Sequence, residues 1–129
     1  MHNMHDATLV WVAGSRILVV EDEYIVAMEI ADSLVALGAI VLGPMGRVPD
    51  VLAFLETAEP APDAAILDVN LGGELVYPVA DALIARGIPF VFTTGYDRSA
   101  LVAAYADFAR FEKPINLRRC LDMLQQAQL

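Results

Sequence analysis

The chain has 129 residues, 57% of them apolar, and a formal net charge of −9 from 8 basic and 17 acidic side chains. That length suits one domain with a substantial core, and the apolar share calls for elements buried on more than one face. The acidic balance argues against binding a nucleic-acid backbone or an anionic membrane surface, and it leaves room for a cation among the carboxylates. In chain order, residues 1–14 read as an extension outside the domain, disordered or tag-derived, ahead of a domain at 15–129. Within it "TLVWVAG" is too apolar to stay solvated and is a candidate for docking, with Trp11 as a docking residue; the spacing of His2 and His5 makes no serious metal case. "RILVV" (16–20) is a strand, and Ile25, Met28, Ile30, Leu34 and Leu37 stripe a helix over 23–37 that Gly38 stops. "AIVLG" (39–43) is the second strand, and a helix from Pro49 to Ala58 follows. "AAIL" (64–67) is the third strand, leading through the loop "DVNLGGE" to a helix over 75–86. "PFVFT" is the fourth strand, followed by a helix over 97–106 that Asp97 could cap. "FARFE" (108–112) is the fifth strand, and a helix over 116–127 carries Leu117, Cys120, Leu121 and Leu124 on one face.

Five strands thus alternate with five helices. Near-continuous apolar strands indicate a parallel sheet covered on both faces. The single cysteine excludes an internal disulfide and, with no secretion signal or membrane-length apolar run, points to a reducing cytoplasm.

Polar residues collect where strands end: "EDE" (21–23), Asp68, Thr93 and Thr94, then Glu112 and Lys113. Open α/β sheets bind ligands outside the carboxyl ends of their strands at the switch point. In a sheet of order 2-1-3-4-5, Glu21, Asp22 and Asp68 meet there, flanked by Thr94 and Lys113. Three carboxylates in one cleft repel unless a cation sits among them, and Mg2+ takes such a set. The third-strand carboxylate could then attack a phosphoryl group, with Lys113 and Thr94 compensating the charge and Gly95 admitting an anion close to backbone.

"ILVVEDE", "AAILDVN", "FTTG" and "FEKP" resemble, in order and spacing, the receiver domain of two-component response regulators. The resemblance spans nearly all of residues 16–127 and implies a flavodoxin-like (βα)5 doubly wound fold. It implies Asp68 as phosphoacceptor, Glu21 and Asp22 as the acidic pair with Asp22 the more direct Mg2+ ligand, and Asn70 as a ligand through its backbone carbonyl. It implies Thr94 as the hydroxyl that moves onto the phosphoryl group, Lys113 as its cation, and a cis Lys113–Pro114 bond. Two positions depart from the family: Arg110 stands where an aromatic switch residue is common, and Gly72 where a proline is usual. "FTTGY" and "LDVNLGGE" are similar to the FAT-GUY subgroup of single-domain receivers of alphaproteobacteria. That likeness implies a histidine kinase, of the HWE type, or a histidine phosphotransfer protein as donor, and makes Tyr96 a candidate reporter beside Arg110. The expected product is a cytoplasmic phosphorelay protein, monomer or weak dimer, which takes a phosphoryl group without being an enzyme in the ordinary sense. Its output is a change in partner binding at the fourth-strand, fourth-helix and fifth-strand face, since the chain ends after the fifth helix.

Plainer roles compete at each position. Asp68 could cap a loop, Glu21 and Asp22 could complement a helix dipole, and Lys113 could be solvated. Thr93 reads as a strand residue, Glu112 as structural and Cys120 as core. Two other functions share the ingredients. A haloacid-dehalogenase-like phosphatase also uses an aspartyl nucleophile with Mg2+, but it wants Asp-x-Asp near its first strand. A receiver-like adaptor would bind without being phosphorylated.

Overall fold

The computed structural model of the protein describes residues 7–95 and 103–127. In chain order the elements are α1 (Ala7–Val12), β1 (Arg16–Val20), α2 (Tyr24–Ala36), β2 (Ile40–Met45), α3 (Val48–Thr57), β3 (Ala64–Asp68), β4 (Asn70–Leu71), β5 (Glu74–Leu75), α4 (Tyr77–Ala85), β6 (Phe90–Thr94), a 3-10 turn (Ala103–Tyr105), β7 (Arg110–Glu112) and α5 (Leu117–Ala127). Five strands form one parallel sheet in the order β2-β1-β3-β6-β7. This is the flavodoxin-like doubly wound order expected from the sequence, with β6 and β7 as its fourth and fifth strands.

The strand period of two divides the core into two layers. Ile17 and Val19 of β1 face Ile30 and Leu34 of α2 and Leu121 and Leu124 of α5. Leu18 and Val20 face Val51 and Leu55 of α3 and Val79 and Leu83 of α4. The central strands are buried on both sides, which is why they read as unbroken apolar runs. Each fully buried aliphatic or aromatic side chain contributes roughly 1.5–3 kcal/mol, most of which chain entropy offsets. Cys120 belongs to the α2–α5 layer, and burial pushes its thiol up to about 11.

Two segments bear on the sequence expectation. Residues 7–12, read as part of an extension and as a docking candidate, form a helix that docks: α1 lies on α5, Val12 is fully buried and Trp11 packs on the same layer. The apolarity of "TLVWVAG" is the cause, and two hydrogen bonds fasten its exit. Gly14 N–H donates to the Gly38 carbonyl at 2.8 Å, and Ser15 Oγ donates to the Trp11 carbonyl. The loop expected after the third strand is instead a two-residue hairpin, with Asn70 opposite Leu75 and Leu71 opposite Glu74. It turns on Gly72 (φ +64) and Gly73 (φ +98). Two adjacent positive φ values make a type I′ turn, which glycine adopts without strain. Glu74 then reaches α3, where its Oε1 accepts from the Val48 N–H at 3.0 Å and satisfies one of the free amides of that helix start.

Of the helix expected over 97–106, Ala103–Tyr105 forms a 3-10 turn, while Asp97 lies outside the described residues, as do Tyr96, His2 and His5. Among the described residues, no helix is long and apolar enough to cross a membrane.

Candidate functional site

The carboxyl ends of β1, β3, β6 and β7 lie side by side and present Glu21, Asp68, Thr94 and Lys113 at one edge of the sheet. A cavity of about 290 Å3 opens there, lined by Asp22, Glu23, Asp68, Val69, Asn70, Gly72, Gly73, Thr94, Gly95 and Lys113. Lys113 is placed by the sheet: its backbone N–H donates to the Thr94 carbonyl at 2.8 Å, and the Lys113–Pro114 bond is cis. Its Nζ stands 2.8 Å from Glu21 Oε1, 2.9 Å from Glu23 Oε1 and 3.1 Å from Asp68 Oδ2. The Glu21 contact is an ion pair off the hydrogen-bond directions, which leaves the buried Oε1 without a hydrogen-bond partner. The loop after Asp68 is held close: Val69 N–H donates to the Thr93 carbonyl at 3.0 Å, and Asn70 N–H to Asp68 Oδ1 at 3.3 Å.

Burial first, then the neighbouring Glu21 carboxylate, pushes the Asp68 carboxyl up to about 7 against the pull of Lys113. For Lys113, burial favours the neutral amine, but the ion pair with Glu21 and the hydrogen bonds to Glu23 and Asp68 outweigh it and hold the ammonium charged. Glu21, Glu23 and Asp68 each bring a carboxylate oxygen within 4.8 Å of the others. Three carboxylates share a single ammonium, and one buried oxygen lacks a hydrogen bond; this donor set fits a small, hard divalent cation.

Of the residues singled out in the sequence, Glu21, Asp68 and Lys113 are in mutual contact. Asp22, Asn70, Thr94 and Gly95 line the same cavity. Asp22 is exposed and stands outside the carboxylate cluster; a Cβ on Gly72 would lie 3.2 Å from its Oδ2. Glu23 takes the third place in the cluster. It follows Glu21 by two residues, and its N–H donates to Glu21 Oε2 at 3.1 Å. The "EDE" run signalled it, although Glu23 also opens α2 and reads as a helix start. Arg110 is exposed and lines a second cavity of about 300 Å3 with Thr94, Phe111, Glu112 and Arg119, so Thr94 borders both. Thr93 is a buried strand residue.

Comparison with protein-family models and with curated proteins gave no match. Among solved structures, SdrG from Sphingomonas melonis Fr1 is 40% identical, with 88% of this chain and 95% of that chain covered and a TM-score of 0.74. The chain belongs to the response-regulator receiver domains. The BeF3-activated conformation of SdrG from Pseudomonas melonis Fr1 is 39% identical over 91% of this receiver domain and 98% of that chain, with a TM-score of 0.69. The response regulator PhyR from Brucella abortus shares the fold at 22% identity and a TM-score of 0.74, over 98% of this receiver domain and 52% of that longer chain. The four stretches that carried the resemblance are thus strand ends of one receiver-domain sheet, gathered on a single rim.

Proposed function

We propose that this receiver domain takes a phosphoryl group from a phosphohistidine, of a histidine kinase or a histidine phosphotransfer protein, onto Asp68. A carboxylate oxygen of Asp68 attacks phosphorus, the phosphorus–nitrogen bond breaks, and imidazole leaves. Asp68 must be ionised to attack, and Lys113 is placed to hold its charge and to follow the phosphoryl oxygens as they arrive. Thr94, on the neighbouring strand end, offers a hydroxyl donor, and Gly95 lets backbone come near the anion. Mg2+ would be held by Glu21, Asp22 or Glu23, Asp68 and the Asn70 carbonyl, and when bound it supplies charge neutralisation at the phosphoryl oxygens. The output is a change in partner binding at the surface around β6, β7 and the segment between them, where Thr94, Gly95, Tyr96 and Arg110 fall. We place the protein in the cytoplasm, as a monomer or weak dimer with residues 15–129 as the receiver unit, in the FAT-GUY subgroup and served by a kinase of the HWE type.

The observation that carries this reading is Asp68, buried beside Glu21 and 3.1 Å from Lys113, at the floor of a cavity bordered by Thr94. The likeness to SdrG, a protein with a BeF3-activated conformation, adds support. Incubation with acetyl phosphate or phosphoramidate and Mg2+, followed by intact mass, tests it. A labile phosphoryl adduct that Asp68→Ala lacks is the expected result. No adduct from any donor would leave an adaptor, and rapid turnover of unrelated phosphomonoesters would mean a phosphatase.

A further inference from the structure

Two branches of the chain leave the pocket and meet again beside it. From Asp68 the chain runs through the β4–β5 hairpin into α4, whose first residue is Tyr77. Beyond Thr94, the 3-10 turn Ala103–Tyr105 brings it back to that helix. There the rings of Tyr77 and Tyr105 stack, with centroids 4.4 Å apart and planes 6° from parallel. The Tyr105 hydroxyl donates to Asp81 Oδ1 at 2.6 Å, one helical turn further along α4. Phe92, two residues before Thr94 and on the same face of β6, sets an edge against both rings, 6.0 Å from Tyr77 and 6.1 Å from Tyr105. Phe108 stacks on Phe90 at 4.9 Å and pins the far side of the turn. These stacked and edge-on arrangements are the ones aromatic rings favour. The phenol keeps its proton, its pKa pushed up to about 12 chiefly by the bond to Asp81.

We propose that Tyr105 is a latch: its stack on Tyr77 and its bond to Asp81 tie the branch after Thr94 to the branch after Asp68, and hold the conformation of the unphosphorylated protein. The proposal rests on Asp68 being the phosphoacceptor. The latch is seen with the Asp68 carboxylate bonded to Lys113, an arrangement that belongs to the unmodified side chain. A phosphoryl group adds about 1.5 to 2 negative charges at the root of both branches. Any relative movement of the two branches shears the ring stack and breaks a hydrogen bond that depends on direction. The latch therefore opposes the phosphorylated conformation, and by linkage its removal favours that conformation.

The test is a titration with Mg2+ and beryllofluoride, a phosphoryl mimic, followed by amide NMR. Signals of Val69 and Thr94 report the site; those of Tyr105 and Phe108 report the latch. In the wild type both sets shift. In Tyr105→Phe, which keeps the ring, and in Asp81→Ala, the beryllofluoride midpoint falls roughly three- to tenfold, the range for one partly exposed hydrogen bond. The double variant falls no further than either single one. Unchanged or raised midpoints overturn the latch, as do Tyr105 and Phe108 signals that stand still while Val69 and Thr94 move. A wild type whose Val69 and Thr94 signals do not respond refutes the phosphoacceptor reading, and the latch falls with it.

Discussion

Lys113 Nζ stands 3.1 Å from Asp68 Oδ2, although 45 residues separate the two in sequence. The same ammonium serves Glu21 and Glu23, so one side chain neutralises part of a charge that a divalent ion could neutralise more fully.

Removing that ammonium leaves the buried Glu21 and Asp68 carboxylates uncompensated. Lys113→Ala should lose about 3 kcal/mol of stability at neutral pH in the presence of a chelator, the usual cost of breaking a buried ion pair from one side. Millimolar Mg2+ should restore more stability to the variant than it adds to the wild type. Urea denaturation with and without Mg2+ measures both.

The raised pKa of Asp68 sets a pH window. A carboxyl at about 7 in the folded protein and 3.8 as its ordinary value binds more protons folded than unfolded between those limits. Its contribution is therefore present in acid and lost as pH rises through about 7. In chelator, Asp68→Asn should match the wild type near pH 4 and exceed its melting temperature by several degrees at pH 8. Thermal melts across that range would show it; a gap that narrows as pH rises would contradict it.

Much of this was legible in the sequence. The five strands were, because each central strand is an unbroken apolar run closed by a polar residue, as "AAILD" is. The site residues followed from where those runs stop. The third carboxylate of the cluster was less plain, since Glu23 is also the residue before α2 and the two roles share one spelling. The hairpin was hidden because its strands are two residues each, too short for alternation to register; the Gly72-Gly73 pair was the available signal. The aromatic latch was out of reach, since Tyr77 and Tyr105 come together only once the sheet is built.

Gly72 and Gly73 offer a matched pair of substitutions. Both hold positive φ, so alanine at either should cost about 1–2 kcal/mol. A Cβ at 72 also crowds the Asp22 carboxylate at 3.2 Å, whereas one at 73 meets nothing within 4 Å. Gly72→Ala should weaken Mg2+ binding and Gly73→Ala should leave it unchanged, as isothermal titration would resolve.

A second matched pair lies in α1. Val12 is fully buried and Val10 is 65% exposed. Val12→Ala should cost about 2 kcal/mol, and Val10→Ala should stay within about 0.5 kcal/mol of the wild type. Guanidinium denaturation of the two variants gives the comparison; equal effects would mean that α1 does not hold to the body in solution.

Trp11, the single tryptophan of the chain, packs with α1 on the α2–α5 layer, whereas the Tyr77–Tyr105 stack belongs to the opposite side of the sheet. The intrinsic fluorophore and the proposed latch thus lie on opposite sides of the sheet. Trp11 emission should follow loss of the hydrophobic interior faithfully and stay blind to phosphoryl-driven rearrangement, so an optical assay of switching needs a dye placed on α4.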